Sequence, residues 1–298
     1  MKKRTLVWMM TAALTAGMLA GCSSQSGETT AASQETVETE ASEETTEEAA
    51  ETEETAGAEA VEGESEEILI AAAASLKNAF EEELIPMFQE KYPNIVVKGT
   101  YDSSGKLQTQ IEEGLEADVF MSAATTQMDA LNEEGLIASD TITDLLENKI
   151  VLIVPEGNEA GLSAFEDIAD AESIALGDPA SVPAGQYAQE ALTSLGIWDS
   201  IQDKVSFGTN VTEVLNQVAA ASADAGIVYA TDAASMEDQV DVVAEAPEGS
   251  LKTKVIYPVA VVKNTAHEEA AQSLVDFLKT PEAMAVFEAY GFAAGSEG

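Results

Sequence analysis

Four short polar segments of this chain stand where helices should begin, and helix beginnings attract anions. The first is Ala72-Ala73-Ala74-Ser75-Leu76-Lys77, with Ser75 between an apolar run and an amphipathic stretch. The second is Asp102-Ser103-Ser104-Gly105-Lys106, and the third runs from Gly177-Asp178-Pro179 to Pro183-Ala184-Gly185. The fourth is Thr209-Asn210-Val211-Thr212-Glu213, where Asn210 and Glu213 have the spacing of a capping box. The first turn of a helix leaves backbone N–H groups without intrahelical partners. Its dipole also places roughly +0.5 charge there. Four such ends on one point would offer about +2, enough to balance a tetrahedral dianion without a charged side chain. Taken singly, each serine reads as an N-cap and Pro-Ala-Gly as a turn. Convergence is what would make them a site.

Catalytic chemistry finds no comparable set. A serine hydrolase needs a base beside its nucleophile. The lone histidine, His267, lies in a polar stretch far in sequence from the serines and reads as surface decoration. There is no G-x-S-x-G elbow. A zinc hydrolase wants several His or Cys ligands, and the chain has one of each. The carboxylate pairs Glu112-Glu113 and Glu133-Glu134 fall on helices and should face solvent.

The elements that must position these segments alternate between short apolar strands and helical patterns, which points to an α/β architecture. Strands are expected at 68–73, 95–100, 118–122, 149–154, 173–177, 226–229 and 255–262. Helices are expected at 75–92, 107–113, 128–134, 187–195, 212–221, 268–278 and 281–290. Lys149–Val154 and Val255–Val262 stand out as crossovers between two lobes. On that reading residues 68–148 and 256–298 form lobe 1, residues 149–255 form lobe 2, and a hinged cleft lies between them. The plainer alternative is that both are ordinary strands of one sheet.

The ends carry a different signal. Lys2, Lys3 and Arg4 precede an apolar run and Leu19-Ala20-Gly21-Cys22, which reads as a secretory signal over 1–21. The apolar run is short of the ~20 residues of a membrane span. Residues 22–67 then form an expected disordered spacer after the cysteine. From Ser23 to Glu67 there are 16 Glu, with no aromatic residue and no Lys or Arg. Such a segment cannot bury enough apolar surface to order itself, and its like charges extend it. The remaining domain sets 10 Lys against 39 acidic residues, a net −29. That excludes nucleic acid as a partner, because phosphate binding needs clustered Lys and Arg. An anion can still be held by fixed local dipoles, with the −29 screened over about 8–10 Å. Cys22 is the only cysteine, so no disulfide is available.

The stretches AAAASLKNAF (71–80), YDSSGKLQTQIEEG (101–114), ADVFMSA (117–123), GDPASVPAGQYAQEAL (177–192), AGIVYATDA (225–233), YPVAVV (257–262) and FLKTPEAMAVFEAYGF (277–292) resemble the molybdate-binding proteins of bacterial ABC importers. The resemblance spans nearly all of 68–292, in order. It departs at Leu115-Glu116, where the family often has Ala-Pro. It implies a type II periplasmic-binding-protein fold, with two hinge strands and one tetrahedral oxyanion in a closed cleft. The metal enters only as that oxyanion, with no resident cofactor. By the same resemblance, Ser75 and Ser104 donate hydroxyl and N–H groups from lobe 1. Ala184 and Val211 donate backbone N–H from lobe 2, and the Tyr229 hydroxyl completes the shell. Ser103 is an alternative partner, and the plain reading of Tyr229 is a core tyrosine at a strand end. The residues before Cys22 resemble a lipobox, implying a lipidated Cys22 that anchors the protein outside the cell membrane. The expected partners are molybdate or tungstate, the importer's permease and the membrane, with the protein acting as a monomer rather than as an enzyme. A surface lipoprotein that binds a protein, or a carrier of another oxyanion such as sulfate, are the rival readings.

Overall fold

The computed structural model describes residues 65–157 and 161–295, all within one compact unit. The signal segment, Cys22 and nearly all of the Glu-rich spacer lie outside the described residues.

Two mixed sheets organise the chain. The first has the order β11-β4-β10-β3-β1-β2. It is built from β1 (Glu66–Ala73), β2 (Ile95–Asp102), β3 (Val119–Met121), β4 (Thr143–Asn148), β10 (Val255–Val261) and β11 (Ala293–Ala294). The second has the order β7-β6-β8-β5-β9. Its strands are β5 (Ile150–Pro155), β6 (Ile174–Gly177), β7 (Val205–Gly208), β8 (Ala225–Tyr229) and β9 (Val240–Glu245). The parallel pairs β1/β2 and β6/β7 run in register to Ala73↔Asp102 and Gly177↔Gly208, which brings their carboxyl ends level. The four helices that follow β1, β2, β6 and β7 therefore start on a common side of their sheets.

Strand alternation sorts the packing. Ala71, Phe120 and Ala260 face α2 (Ser104–Glu112) and α3 (Thr125–Glu133), together with Leu107, Ile111, Met128 and Leu131. Ile70, Ala72, Val119, Met121, Val259 and Val261 point to the opposite face. There they meet α1 (residues 74–91) and the closing helices α6 (Glu268–Leu278) and α7 (Pro281–Ala289). Phe88 packs edge-on against Phe277, and Phe80 against Phe287. Thus the C-terminal helices pack with α1 on the first sheet. Within α1 the winding loosens to a π-type stretch over Phe80–Leu84. Pro86 follows at the second position of the regular turns; it has no N–H, and its ring crowds the carbonyl four residues back. In the second lobe, α4 (Pro183–Ser194) and α5 (Val211–Ala219) lie against β6 and β8.

The chain passes between the sheets twice. Lys149 separates β4 from β5, and residues 246–254 join β9 to β10. The strands expected to cross therefore each sit wholly within one sheet, and the crossings are the short links beside them. Asn148 fastens the first link, because its Nδ2 donates to Thr231 Oγ1 at 2.9 Å and to the Tyr257 hydroxyl at 3.3 Å. Strand β1 starts at Glu66, two residues before the expected apolar start. The Glu66 N–H donates to Asn94 O at 2.8 Å, and its carboxylate lies 2.6 Å from His267 Nδ1. A ladder partner and a side-chain partner are enough to order a polar residue at the strand end.

Candidate functional site

All four helix starts meet at one small cavity. It is lined by Ala73, Ala74, Ser75, Asp102, Ser103, Ser104, Ala123, Val182, Pro183, Ala184, Val211 and Tyr229. The cavity measures about 10 Å3, the space of a single water. Every residue singled out from the sequence for an anion shell borders it, three of them from each side once Ser103 is counted. No lysine or arginine does so.

Each position follows from local structure. Ser75 lies in the first turn of α1, directly after β1, and its Oγ is 3.0 Å from the Tyr257 hydroxyl. Ser104 is the first residue of α2 and is fully buried. Its Oγ accepts the Ala123 N–H at 3.0 Å, which leaves the serine's own proton available to donate. Ala184 is the second residue of α4, after Pro183 at the position where a missing N–H costs nothing. Its N–H therefore has no intrahelical acceptor. Val211 opens α5 behind the N-cap Asn210, whose Oδ1 accepts the Glu213 N–H at 2.9 Å. Glu213 reaches back to the Thr209 N–H at 2.7 Å, so the capping spacing seen in the sequence is realised with the reciprocal bond one residue earlier.

Tyr229 ends β8 and is 1% exposed. Its hydroxyl donates to the Ala123 carbonyl across the cleft at 3.3 Å. Burial, followed by the charges of Tyr257, Tyr187 and Asp232, raises its pKa well above the usual phenol value. The hydroxyl thus stays protonated and remains a donor. Below it, Asp232 is buried and its carboxyl is pushed up to about 7 by burial, while the hydrogen bond from the Tyr229 N–H pulls it down.

Asp102 is the one acidic residue on the lining, and a carboxylate there opposes an anion. Its oxygens are occupied by the Ser103 N–H at 2.8 Å, Lys106 Nζ at 3.1 Å and Asn210 Nδ2 at 3.3 Å. The Asn210 bond joins the lobes, as do Gly105 N–H to Ser181 O at 2.9 Å and Gln127 Nε2 to Gln186 Oε1 at 3.2 Å. A Cβ on Gly105 would lie 2.5 Å from Ser181 O, so only glycine permits this approach. Similarly, a Cβ on Gly185 would lie 2.1 Å from Gly177 O, which accounts for the last glycine of the GDPASVPAG stretch.

Several participants were invisible as site residues in the sequence. Ala123 serves through its backbone on both sides of the cleft, and no side chain advertises that. Tyr257 lay in a quoted motif without a role, and Asn148 fell outside every expected strand and helix. Conversely, His267 borders a separate pocket, and both carboxylate pairs are exposed. Among the described residues no group of three His, Cys, Asp or Glu side chains could hold a metal ion.

Residues 68–293 match the family model of the bacterial extracellular solute-binding proteins. The chain belongs to that family. This solute-binding protein is 41% identical over 227 residues to "Putative ABC transporter substrate-binding lipoprotein YvgL" of Bacillus subtilis, covering 76% of this chain and 86% of that one. It is 38% identical over 239 residues to the molybdate-binding protein ModA of Haemophilus influenzae, covering 77% and 91%. The periplasmic molybdate-binding protein of Azotobacter vinelandii has the same fold, with TM-score 0.67, 22% identity, and coverage of 77% of this chain and all of that one.

Proposed function

We propose that this protein captures molybdate outside the cell and delivers it to an ABC importer. One observation carries the reading: four helix N-termini and the protonated Tyr229 hydroxyl surround a single cavity that no cationic side chain lines. Such a site neutralises a dianion with dipoles and neutral donors. The choice of molybdate rests on the relatives named for it, whose length the chain covers almost fully. Tungstate, of nearly the same size and charge, should compete for the cleft.

In this reading Ser75, Ser104, Ala184, Val211 and Tyr229 form the ligand shell, and the site binds without transforming its ligand. A cavity of about 10 Å3 is too small for four oxygens around a metal centre. The lobes therefore part to admit the ion and close over it, bending at Lys149 and at residues 246–254. The importer's membrane subunits then receive the closed form. Cys22 is the proposed lipid anchor, supported by its lipobox-like context and by the lipoprotein named among the relatives. Two acyl chains give stable attachment where one does not. Replacing Cys22 by Ala should release the protein into the medium, and continued membrane attachment would remove the anchor from the account.

Thermal unfolding tests the ligand. At 100 times the dissociation constant, a single ligand adds about 2.7 kcal/mol to stability. Molybdate should raise the melting temperature accordingly, and an unchanged melting temperature in saturating molybdate would overturn the proposal.

A further inference from the structure

The lobe 1 rim of the cleft carries two adjacent serines, and their hydroxyls are treated differently. Ser104 Oγ accepts the Ala123 N–H at 3.0 Å. Ser103 is 3% exposed, lines the same cavity, and its Oγ has no hydrogen-bond partner. Its position makes this unexpected. Ser103 is the N-cap of α2, where a serine side chain ordinarily accepts an N–H from the first turn. Here no such bond forms, and the Ser103 N–H is engaged by Asp102 at 2.8 Å. A buried hydroxyl left unpaired costs stability that a capping bond would recover. Residues that forgo their ordinary bond at a cavity wall are candidates for a bond to what fills the cavity.

The other cleft hydroxyls each have a resting partner: Ser75 has Tyr257, and Tyr229 has the Ala123 carbonyl. Of the four cleft hydroxyls, Ser103 Oγ is the one with neither a donor nor an acceptor partner. The fixed N–H of Ser103, bound to Asp102, also restricts the backbone from which the hydroxyl projects.

We infer that Ser103 is a further ligand-binding residue, whose hydroxyl donates a hydrogen bond to the tetrahedral oxyanion beside Ser104. The inference rests on the oxyanion reading of the cleft. It assigns lobe 1 three serine donors rather than two and makes Ser103 a determinant of affinity.

The test is isothermal titration of the parent protein, Ser103→Ala and Ser103→Cys with sodium molybdate, alongside melting of each without ligand. The expected result is tight binding by the parent and a loss of roughly tenfold or more in both variants, the strength of a hydrogen bond to a charged group. The ligand-free melting temperature of Ser103→Ala should equal or exceed the parent's, because the substitution removes an unpaired buried hydroxyl. A capping role would lower it instead. Parent-like affinity in both variants overturns the role of Ser103 while leaving the oxyanion site standing. Failure of the parent itself to bind molybdate, tungstate, sulfate or phosphate overturns both. The cysteine variant keeps the shape of serine in a slightly larger side chain with only a weak donor, so the comparison survives if the alanine variant folds poorly.

Discussion

The Tyr229 hydroxyl rests on the Ala123 carbonyl, 3.3 Å away on the other side of the cleft. The bond is long, and the same carbonyl belongs to the residue whose N–H holds Ser104. A stronger acceptor arriving in the cleft can therefore draw the Tyr229 proton away from Ala123 at little cost. Tyr229→Phe should weaken molybdate binding by about 1.5–3 kcal/mol, the value of a hydrogen bond to a charged group. Ligand-free stability should change by less, because the bond lost is weak. Titration and melting of the variant check both halves, and unchanged affinity would remove Tyr229 from the shell.

Ser75 and Ser104 should separate when each is replaced by Ala. Both variants lose a donor to the anion, so both should bind more weakly by about 1.5–3 kcal/mol. Only Ser104→Ala strands a buried N–H, that of Ala123, at a further cost of about 1–3 kcal/mol of stability. In Ser75→Ala the Tyr257 hydroxyl retains Asn148. Denaturant titration should thus find Ser104→Ala the less stable of the two, and equal stabilities would contradict the hydrogen bonding described.

Gly105 reports on closure. Its N–H meets Ser181 O only because no Cβ intervenes. Gly105→Ala should favour the open form, since its Cβ would lie 2.5 Å from Ser181 O when the lobes meet. Affinity should fall by about 1–3 kcal/mol, the usual cost of overpacking. Small-angle scattering should then show a smaller contraction on adding molybdate than in the parent. Full contraction with parent affinity would place the closing contact elsewhere.

Asp232 gives the pH dependence a sign. Its folded pKa is raised to about 7 by burial, whereas an unfolded Asp titrates near 3.9. Below about pH 4 both states are protonated and the native state keeps its full advantage. As pH rises towards 7 the unfolded chain ionises first, so stability is lost across that window and levels off above it. Asp232→Asn keeps an acceptor for the Tyr229 N–H and removes the titration. Its melting temperature relative to the parent should climb between pH 4 and pH 7, and a flat difference would refute the assignment.

Much of this was legible in the sequence, and the gaps have causes. The pattern of α6 was read over its full length because apolar residues recur from Ala270 to Leu278 on one face. Strands β4, β7 and β9 were missed. Strand β4 offers only Leu145 and Leu146 amid polar residues, and β7 and β9 are half exposed and broken by Ser206 and Asp241, so neither presents a long apolar run. Helices α2 and α4 were read from Leu107 and Tyr187, but they begin at Ser104 and Pro183. Their first turns face the cavity, where the apolar period has not yet started. The same turns hold the proposed anion site, so the periodicity signal fails where the candidate residues lie. What remained hidden was backbone: nothing in the identity of Ala123 reveals that its N–H and carbonyl serve opposite walls of one cleft.

Isothermal titration of the purified protein with molybdate, tungstate, sulfate and phosphate in one buffer decides what the cleft binds. Molybdate should bind tightly and one-to-one, tungstate should compete with it, and sulfate and phosphate should give no heat. Tight binding of sulfate or phosphate with molybdate silent would contradict the ligand, and silence from all four would contradict the site.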